Sequence, residues 1–188
     1  MADGCADCGA VQTQVVLDGK RLCDRCADRR VAAHTGWSQL PDPPAPQVLL
    51  GPDGRTHTMR IRLHRAHTGV AAEATELGCD PGQGYHVRII GAHDADVPML
   101  IEQLRLQVRE EIGTTYLEPN PSRPGWLLCD HQVAGRLVWA GDAAPYAVVI
   151  DGRTLSWEEL GRALESFEGW RFRLMIDDLD DVRPDPRR

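Results

Sequence analysis

The chain has 188 residues, a formal net charge of −7 and an aromatic content of 5%. This length suffices for one ordinary domain with a small addition, and the acidic balance disfavours a general nucleic-acid coat, which needs clustered positive charge. No stretch approaches the roughly 20 apolar residues of a membrane span, and the N-terminus has neither part of a secretory signal. We therefore expect a cytoplasmic protein without a membrane partner. Lys20 is the one lysine among 21 basic residues, which indicates a GC-rich bacterial coding bias.

Four cysteines near the N-terminus form two pairs with the pattern Cys5-x2-Cys8-x14-Cys23-x2-Cys26. Each pair can turn two thiolates toward one ion, and two pairs complete a tetrahedral sulfur site that suits Zn²⁺, with iron as the lesser alternative. In a reducing compartment such pairs are metal ligands more often than disulfides. A redox motif is typically a single CxxC at the start of a helix, so the spacing favours metal over redox chemistry.

The role of this ion follows from its ligands. Catalytic zinc keeps one position open for water or substrate, whereas an all-cysteine site is closed. A segment of about 35 residues cannot build a sufficient core from side chains alone. We therefore predict a structural zinc ion.

The residues around the cysteines predict a hairpin and a helix. "VQTQVVLDGKRL" has strand propensity on both sides of an Asp18-Gly19 turn, and "ADRRVAAHTGW" is helical in pattern with Gly36 as its stop. This order over residues 3–36 resembles the treble-clef and zinc-ribbon groups of zinc fingers, including GATA-type and LIM-type fingers. The resemblance implies that the ligands are Cys5, Cys8, Cys23 and Cys26.

The chain divides into four predicted parts. A zinc finger at residues 1–37 is followed by a proline-rich linker at 38–56, which should be extended and fairly stiff. Within the linker, "VLL" at 48–50 can dock as a short edge strand. An α+β domain at 57–177 has possible halves at 57–117 and 125–177, and a polar tail covers 178–188.

The first half of the α+β domain has three predicted strands, "TMRIRLH", "VAAEATEL" and "GYHVRIIG", followed by a helix. The helix should begin near Asp94 or Asp96. Its apolar stripe has helical spacing and consists of Val97, Ile101, Leu104, Val108 and Ile112.

The pattern of the second half repeats this order. "GWLLCDH" and "GRLVWAG" predict a hairpin, "PYAVVIDG" a third strand, and "SWEELGRALESFEG" a helix with a capping box at Ser156 and Glu159. "WRFRLMID" predicts a last strand. The pattern predicts an antiparallel α+β fold with helices on one sheet face, and the repeated order suggests a duplicated β-β-β-α unit. "IDGRTLSWEELGRALESFEGWRFRLMI" is similar to uncharacterised bacterial domains found beside zinc fingers, which implies no known activity.

Two groups of arginines are candidate nucleic-acid contacts. Strand arginines on the polar phase can contact phosphates, or they can pair across strands with residues such as Glu73 on a solvated face. The second interpretation is favoured because single-strand platforms add exposed aromatics. The finger-helix arginines can face DNA or pair with Asp24 and Asp28. The two groups are Arg60, Arg62 and Arg88 on strands, and Arg25, Arg29 and Arg30 on the helix.

No motif of a familiar enzyme class is present: there is no P-loop, no GxGxxG after a strand, no GxSxG elbow and no HExxH. Cys129 has His131 near it in sequence, but this pairing is poor geometry for a nucleophile and its base. The leading hypothesis is a non-catalytic adaptor with an unidentified protein partner. The alternatives are a nucleic-acid-associated regulator and an enzyme with an unrecognised site between the two halves.

Overall fold

A computed structural model describes residues 4–11, 13, 15–80, 82–142 and 145–177. In this part of the chain the fold is α+β, as predicted, with three α-helices and four small antiparallel sheets. The predicted polar tail at 178–188 lies outside the described residues, as do Gln12 and Gln14 of the predicted hairpin. Among the described helices, none combines the length and apolar character needed to cross a bilayer.

Residues 4–36, here called the cysteine module, contain the predicted hairpin and helix. The strands are β1 (Val15–Leu17) and β2 (Lys20–Leu22), and the helix is α1 (Asp24–Thr35). Asp18 and Gly19 have φ angles of 51° and 72°, the positive values that a two-residue hairpin turn of type I′ requires. Gly36 ends α1 in the left-handed conformation, with its amide bonded to the carbonyl of Ala32.

A four-stranded sheet, here called the first sheet, follows the module in the order β3-β4-β5-β6. Its strands are β3 (Gln47–Leu50), β4 (Thr56–Ala66), β5 (Gly69–Glu76) and β6 (His86–Gly91). The edge strand predicted at 48–50 is confirmed as β3, which lies inside the segment predicted as a linker.

Helix α2 (Val97–Gly113) packs on one face of the first sheet. The Asp96 side chain caps it by accepting a hydrogen bond from the Met99 amide at 3.1 Å, which confirms one of the two predicted starts. The alternating apolar residues of the strands face the helical stripe. The shared core contains Met59, Ile61, Leu63, Val87, Ile89, Leu100, Leu104, Val108 and Ile112.

The remaining elements form two smaller sheets and a helix. They are β7 (Leu117–Pro119), β8 (Trp126–Leu128), β9 (Arg136–Trp139), β10 (Tyr146–Ile150), β11 (Arg153–Leu155) and α3 (Trp157–Ala163). Strand β7 pairs with β8, and the three others form a second sheet in the order β11-β10-β9. The capping box of Ser156 and Glu159 is confirmed at the start of α3.

Two predictions for this region are wrong. The hairpin predicted from "GWLLCDH" and "GRLVWAG" does not form, because β8 pairs with β7 and β9 pairs with β10. The connecting Gly135 packs so closely on the Val149 carbonyl that a Cβ there would lie 2.6 Å from its oxygen. The strand predicted from "WRFRLMID" is also absent, since residues 170–177 join no sheet. The strand order of the first sheet is therefore not repeated in the second half.

Candidate metal centre

The four cysteine sulfurs of the module converge on one point. All lie within 4.8 Å of one another, and the Sγ atoms of Cys8 and Cys23 are 3.7 Å apart. Cys5 and Cys26 are buried, Cys23 is half-buried and Cys8 is exposed. One edge of the cluster thus faces solvent, while the other is closed by the small core of the module.

Backbone hydrogen bonds place each pair of cysteines. The Gly9 amide donates to the Cys5 carbonyl at 2.8 Å, and the Ala27 amide donates to the Cys23 carbonyl at 3.0 Å. Gly9 has a φ of 74°, a conformation that favours glycine and turns the chain behind the first pair. The Ala6 amide bonds to the Arg21 carbonyl at 2.9 Å, which holds the first pair beside β2.

This geometry fits one tetrahedral metal ion. Sulfurs bound to zinc at about 2.3 Å in a tetrahedron lie about 3.8 Å from one another, close to the separation of Cys8 and Cys23. Backbone hydrogen bonding, chiefly from Cys23, lowers the pKa of the Cys5 thiol to about 6. Burial and the neighbouring thiols raise the pKa of Cys26 to about 12. A cation is therefore needed to hold all four groups as thiolates.

Ion pairs dock the module on strand β4 of the first sheet. Arg62 of β4 donates two hydrogen bonds to the Asp24 carboxylate, at 2.5 and 2.7 Å. Arg65 donates to Asp28 at 2.8 Å, and both side chains of this pair are only 8% exposed. The Leu40 amide also donates to Asp28, at 2.9 Å. Because Asp24 and Asp28 lie on α1, the helix that carries Cys26 is attached directly to the sheet.

An aromatic contact extends this attachment beyond the helix. The Trp37 ring stacks on His93, with centroids 4.5 Å apart. The Arg65 guanidinium lies 4.9 Å from the centre of the same ring, within the range of a cation–π interaction. Arg65 therefore contacts both α1 and Trp37 and links them to the first sheet.

Residues 41–113 match a family model described as a domain of unknown function (DUF7686). Residues 116–181 match a second one, also described as a domain of unknown function (DUF7713). The stretch that resembles uncharacterised domains, at residues 150–176, lies inside the second match, and neither match includes the cysteine module. No curated protein and no solved structure matches the chain.

The structure places three of the six candidate arginines beside carboxylates. Arg30 donates to Asp7 at 2.8 Å, and Arg62 holds Glu73 at 3.4 Å in addition to Asp24. Arg25 lies 3.7 Å from Asp42 in an exposed pair. Arg29 and Arg60 are exposed, and Arg88 is half-buried.

Glu73 provides the cross-strand pairing that the sequence offered as one alternative. Its carboxylate lies 2.6 Å from His86 Nε2, and the hydrogen bond from His86 together with the Arg62 charge lowers its pKa to about 2. The polar face of the first sheet is therefore partly neutralised by its own carboxylate and partly covered by α1.

Sequence reasoning missed two buried pairs. One is the docking pair of Arg65 and Asp28, for which the signal was that Arg65 shares the strand phase of the buried Leu63. The other joins His57 Nδ1 to Glu76 at 2.7 Å, with side chains 3% and 7% exposed. His57 occupies the same strand phase as Met59 and Ile61, and a polar residue in an apolar phase indicates a buried partner.

A cavity of about 210 Å³ lies between the two matched regions. The Asp53 carboxylate in it accepts a hydrogen bond from Arg153 at 3.0 Å, and Arg153 lies over the Trp126 ring at 4.4 Å. Asp151 accepts from the amides of Tyr116 and Leu117. The pair of Asp53 and Arg153 therefore connects the two matched regions across this cavity.

Proposed function

We propose that the protein is a cytoplasmic bacterial adaptor that binds one structural zinc ion and acts through a protein partner. The observation that carries this proposal is the convergence of four thiols, two of them buried, within 4.8 Å. Cys5, Cys8, Cys23 and Cys26 fill all four positions of a tetrahedral ion, so no position remains for a substrate. The module is a zinc finger of the treble-clef type in this proposal.

The small core of the module supports a structural role for the ion. Its buried cluster consists of Cys5, Leu22, Cys26 and Ala27, and two of these four residues are themselves metal ligands. Too little apolar surface is buried to offset the entropy of ordering the segment. Zinc supplies the missing free energy, as it does in other small metal-dependent domains.

A protein partner is favoured over nucleic acid by the charges on the module. Arg30 on the module and Arg62 on β4 are held by carboxylates, which reduces the positive charge that these two arginines offer to phosphates. In contrast, Val11 and Val16 on the hairpin side are 78% and 68% exposed. An apolar hairpin surface on a rigidly docked module is suited to a protein contact.

Metal analysis of the purified full-length protein tests the first part of this proposal. We expect about one equivalent of zinc, as a tetrahedral four-thiolate site requires. Less than about half an equivalent, with no other metal and with titratable thiols at all four positions, contradicts it. About one equivalent of iron in place of zinc also contradicts the zinc assignment.

Capture from the native host tests the second part, with wild type compared against Val16→Glu. We expect a protein captured by wild type to be lost with the variant, and the purified partner to bind wild type alone. The matched control is Leu106→Glu, an equally exposed apolar position on α2, which should retain the partner. Binding that is confined to nucleic acid and weakens steeply with salt contradicts the adaptor and supports the regulator.

A further inference from the structure

Residues 170–176, here called the C-terminal segment, expose an unusual amount of apolar surface. Five of these seven residues are large and apolar, with exposed fractions between 55% and 88%. They are Trp170, Phe172, Leu174, Met175 and Ile176. Single exposed apolar residues are ordinary, but a contiguous run of this size marks an interaction surface.

The segment has the residue pattern of a strand but no sheet to join. Trp170, Phe172, Leu174 and Ile176 alternate with Arg171 and Arg173, so an extended backbone places the first four side chains on one face. The described residues 170–176 form no strand. A strand needs a free sheet edge, and the pattern therefore points to a partner edge.

A matching edge is present on the second sheet. Strand β9 ends the order β11-β10-β9 and pairs with β10 on one side only. Leu137 and Trp139 of β9 share one face with Tyr146, which lies opposite Trp139 in the register. These three side chains are 50–62% exposed, and the rings of Trp139 and Tyr146 meet edge to face at 5.7 Å.

We propose that the C-terminal segment adds as a strand to the β9 edge of a second copy of this chain, in a reciprocal two-fold dimer. Each copy carries one segment and one edge, so the same contact forms twice and closes. In the dimer, Phe172 and Leu174 lie beside Leu137 and Trp139 on the same face of the extended sheet.

The surface area that the two segments and the two β9 edges would bury agrees with that of a stable dimer interface. Aromatic side chains bury about 150–250 Å² each, and the apolar face of the segment offers two of them together with Leu174 and Ile176. Each segment therefore removes roughly 500 Å² of its own apolar surface from water, by this scale. With both segments and both acceptor faces counted, the total lies in the range of about 1,200–2,000 Å² typical of specific interfaces.

Sedimentation velocity on the full-length protein tests this proposal. We expect wild type to sediment at twice the chain mass of 20.8 kDa at micromolar concentration. The donor variant Phe172→Glu/Leu174→Glu and the acceptor variant Trp139→Glu should each raise the dimer dissociation constant at least 100-fold. Leu106→Glu, on an exposed position outside both surfaces, should leave it unchanged.

Mixing the two variants separates loss of contact from loss of folding. The donor variant keeps an intact edge and the acceptor variant keeps an intact segment, so the mixture should form a heterodimer through one of the two contacts. A monomeric wild type overturns the proposal, as does a dimer that survives both variants. A monomer whose segment is protected from hydrogen exchange overturns it too, because the segment then pairs within its own chain.

Discussion

The cysteine module and the first sheet are both docked parts of one chain, but they are stabilised in different ways. The module has a buried cluster of four residues, two of them cysteines at the candidate metal site. The first sheet and α2 share a cluster of twelve buried apolar residues. The sheet can fold on apolar burial, whereas the proposed structural metal would supply what the small core of the module lacks.

The contact between the module and the first sheet is formed mainly by ion pairs. Its centre is the pair of Arg65 and Asp28 together with the bidentate pair of Arg62 and Asp24. Buried ion pairs add little net stability compared with apolar packing. Removing one partner, however, leaves the other charge buried and unpaired, which is strongly destabilising. The geometry of these pairs orients α1 on the sheet.

Removing one of the cysteine ligands should have the largest effect on stability. The loss of stability should be confined to the module. With Cys26→Ser we expect loss of the bound metal and of hydrogen-exchange protection throughout α1, since structural zinc is worth about 10–16 kcal/mol in isolated fingers. The first sheet should keep its protection. Cys129→Ser, at an exposed cysteine outside the module, is the control. Protection of α1 that survives Cys26→Ser contradicts a metal-dependent module.

Truncating a core side chain of the first sheet should give the next largest loss of stability. This loss should affect the sheet and not the module. Leu104 is fully buried and Leu106, on the same helix, is 62% exposed. We expect Leu104→Ala to lower the free energy of unfolding by about 4 kcal/mol through lost burial and a cavity. Leu106→Ala should change it by less than about 0.5 kcal/mol. Urea denaturation measures both, and similar values for the two would contradict the assigned core.

Breaking the docking pair should lower the stability of the contact itself. Arg65→Met leaves the Asp28 carboxylate buried without its partner, and we expect a loss of about 3 kcal/mol in the opening free energy of α1. Native-state hydrogen exchange of α1 measures this quantity with metal bound. Arg25→Met removes an exposed pair with Asp42 and should cost less than about 0.5 kcal/mol. Equal effects would show that the module is held by other contacts.

The smallest expected effect is a pH dependence within the first sheet. Hydrogen bonding to His86 and the nearby Arg62 lower the folded pKa of Glu73 to about 2, below its ordinary value of 4.5. The stabilisation is therefore complete above about pH 4.5 and is lost as the pH falls toward 2. We expect Glu73→Gln to cost about 2 kcal/mol at pH 6 and progressively less below pH 4.5.

Unfolding free energies measured between pH 6 and pH 3 test this dependence. Glu102→Gln is the control, because its carboxylate is mostly exposed and pairs within α2. A difference between wild type and Glu73→Gln that stays constant over this range would show that the ion pair is not the source of the stability.

Several local features were predictable because they depend on neighbours in sequence. The turn at Asp18-Gly19, the helix end at Gly36 and the capping box at Ser156 each need only a few adjacent residues. The spacing of Cys5, Cys8, Cys23 and Cys26 likewise brings four sulfurs together through short loops. The apolar stripe of α2 was predictable because its period matches the helix.

The pairings between distant elements were decided by the tertiary structure. Strand β8 has the pattern of a hairpin partner for β9, but short β7 pairs with it instead. The segment "WRFRLMID" has a clear strand pattern, yet a strand forms only where an edge accepts it. Likewise, the arginines of β4 were visible in the sequence, whereas their partners on α1 depend on how two folded parts meet. Local conformation follows from nearby residues, while edges and buried charges are assigned only when the whole chain is packed.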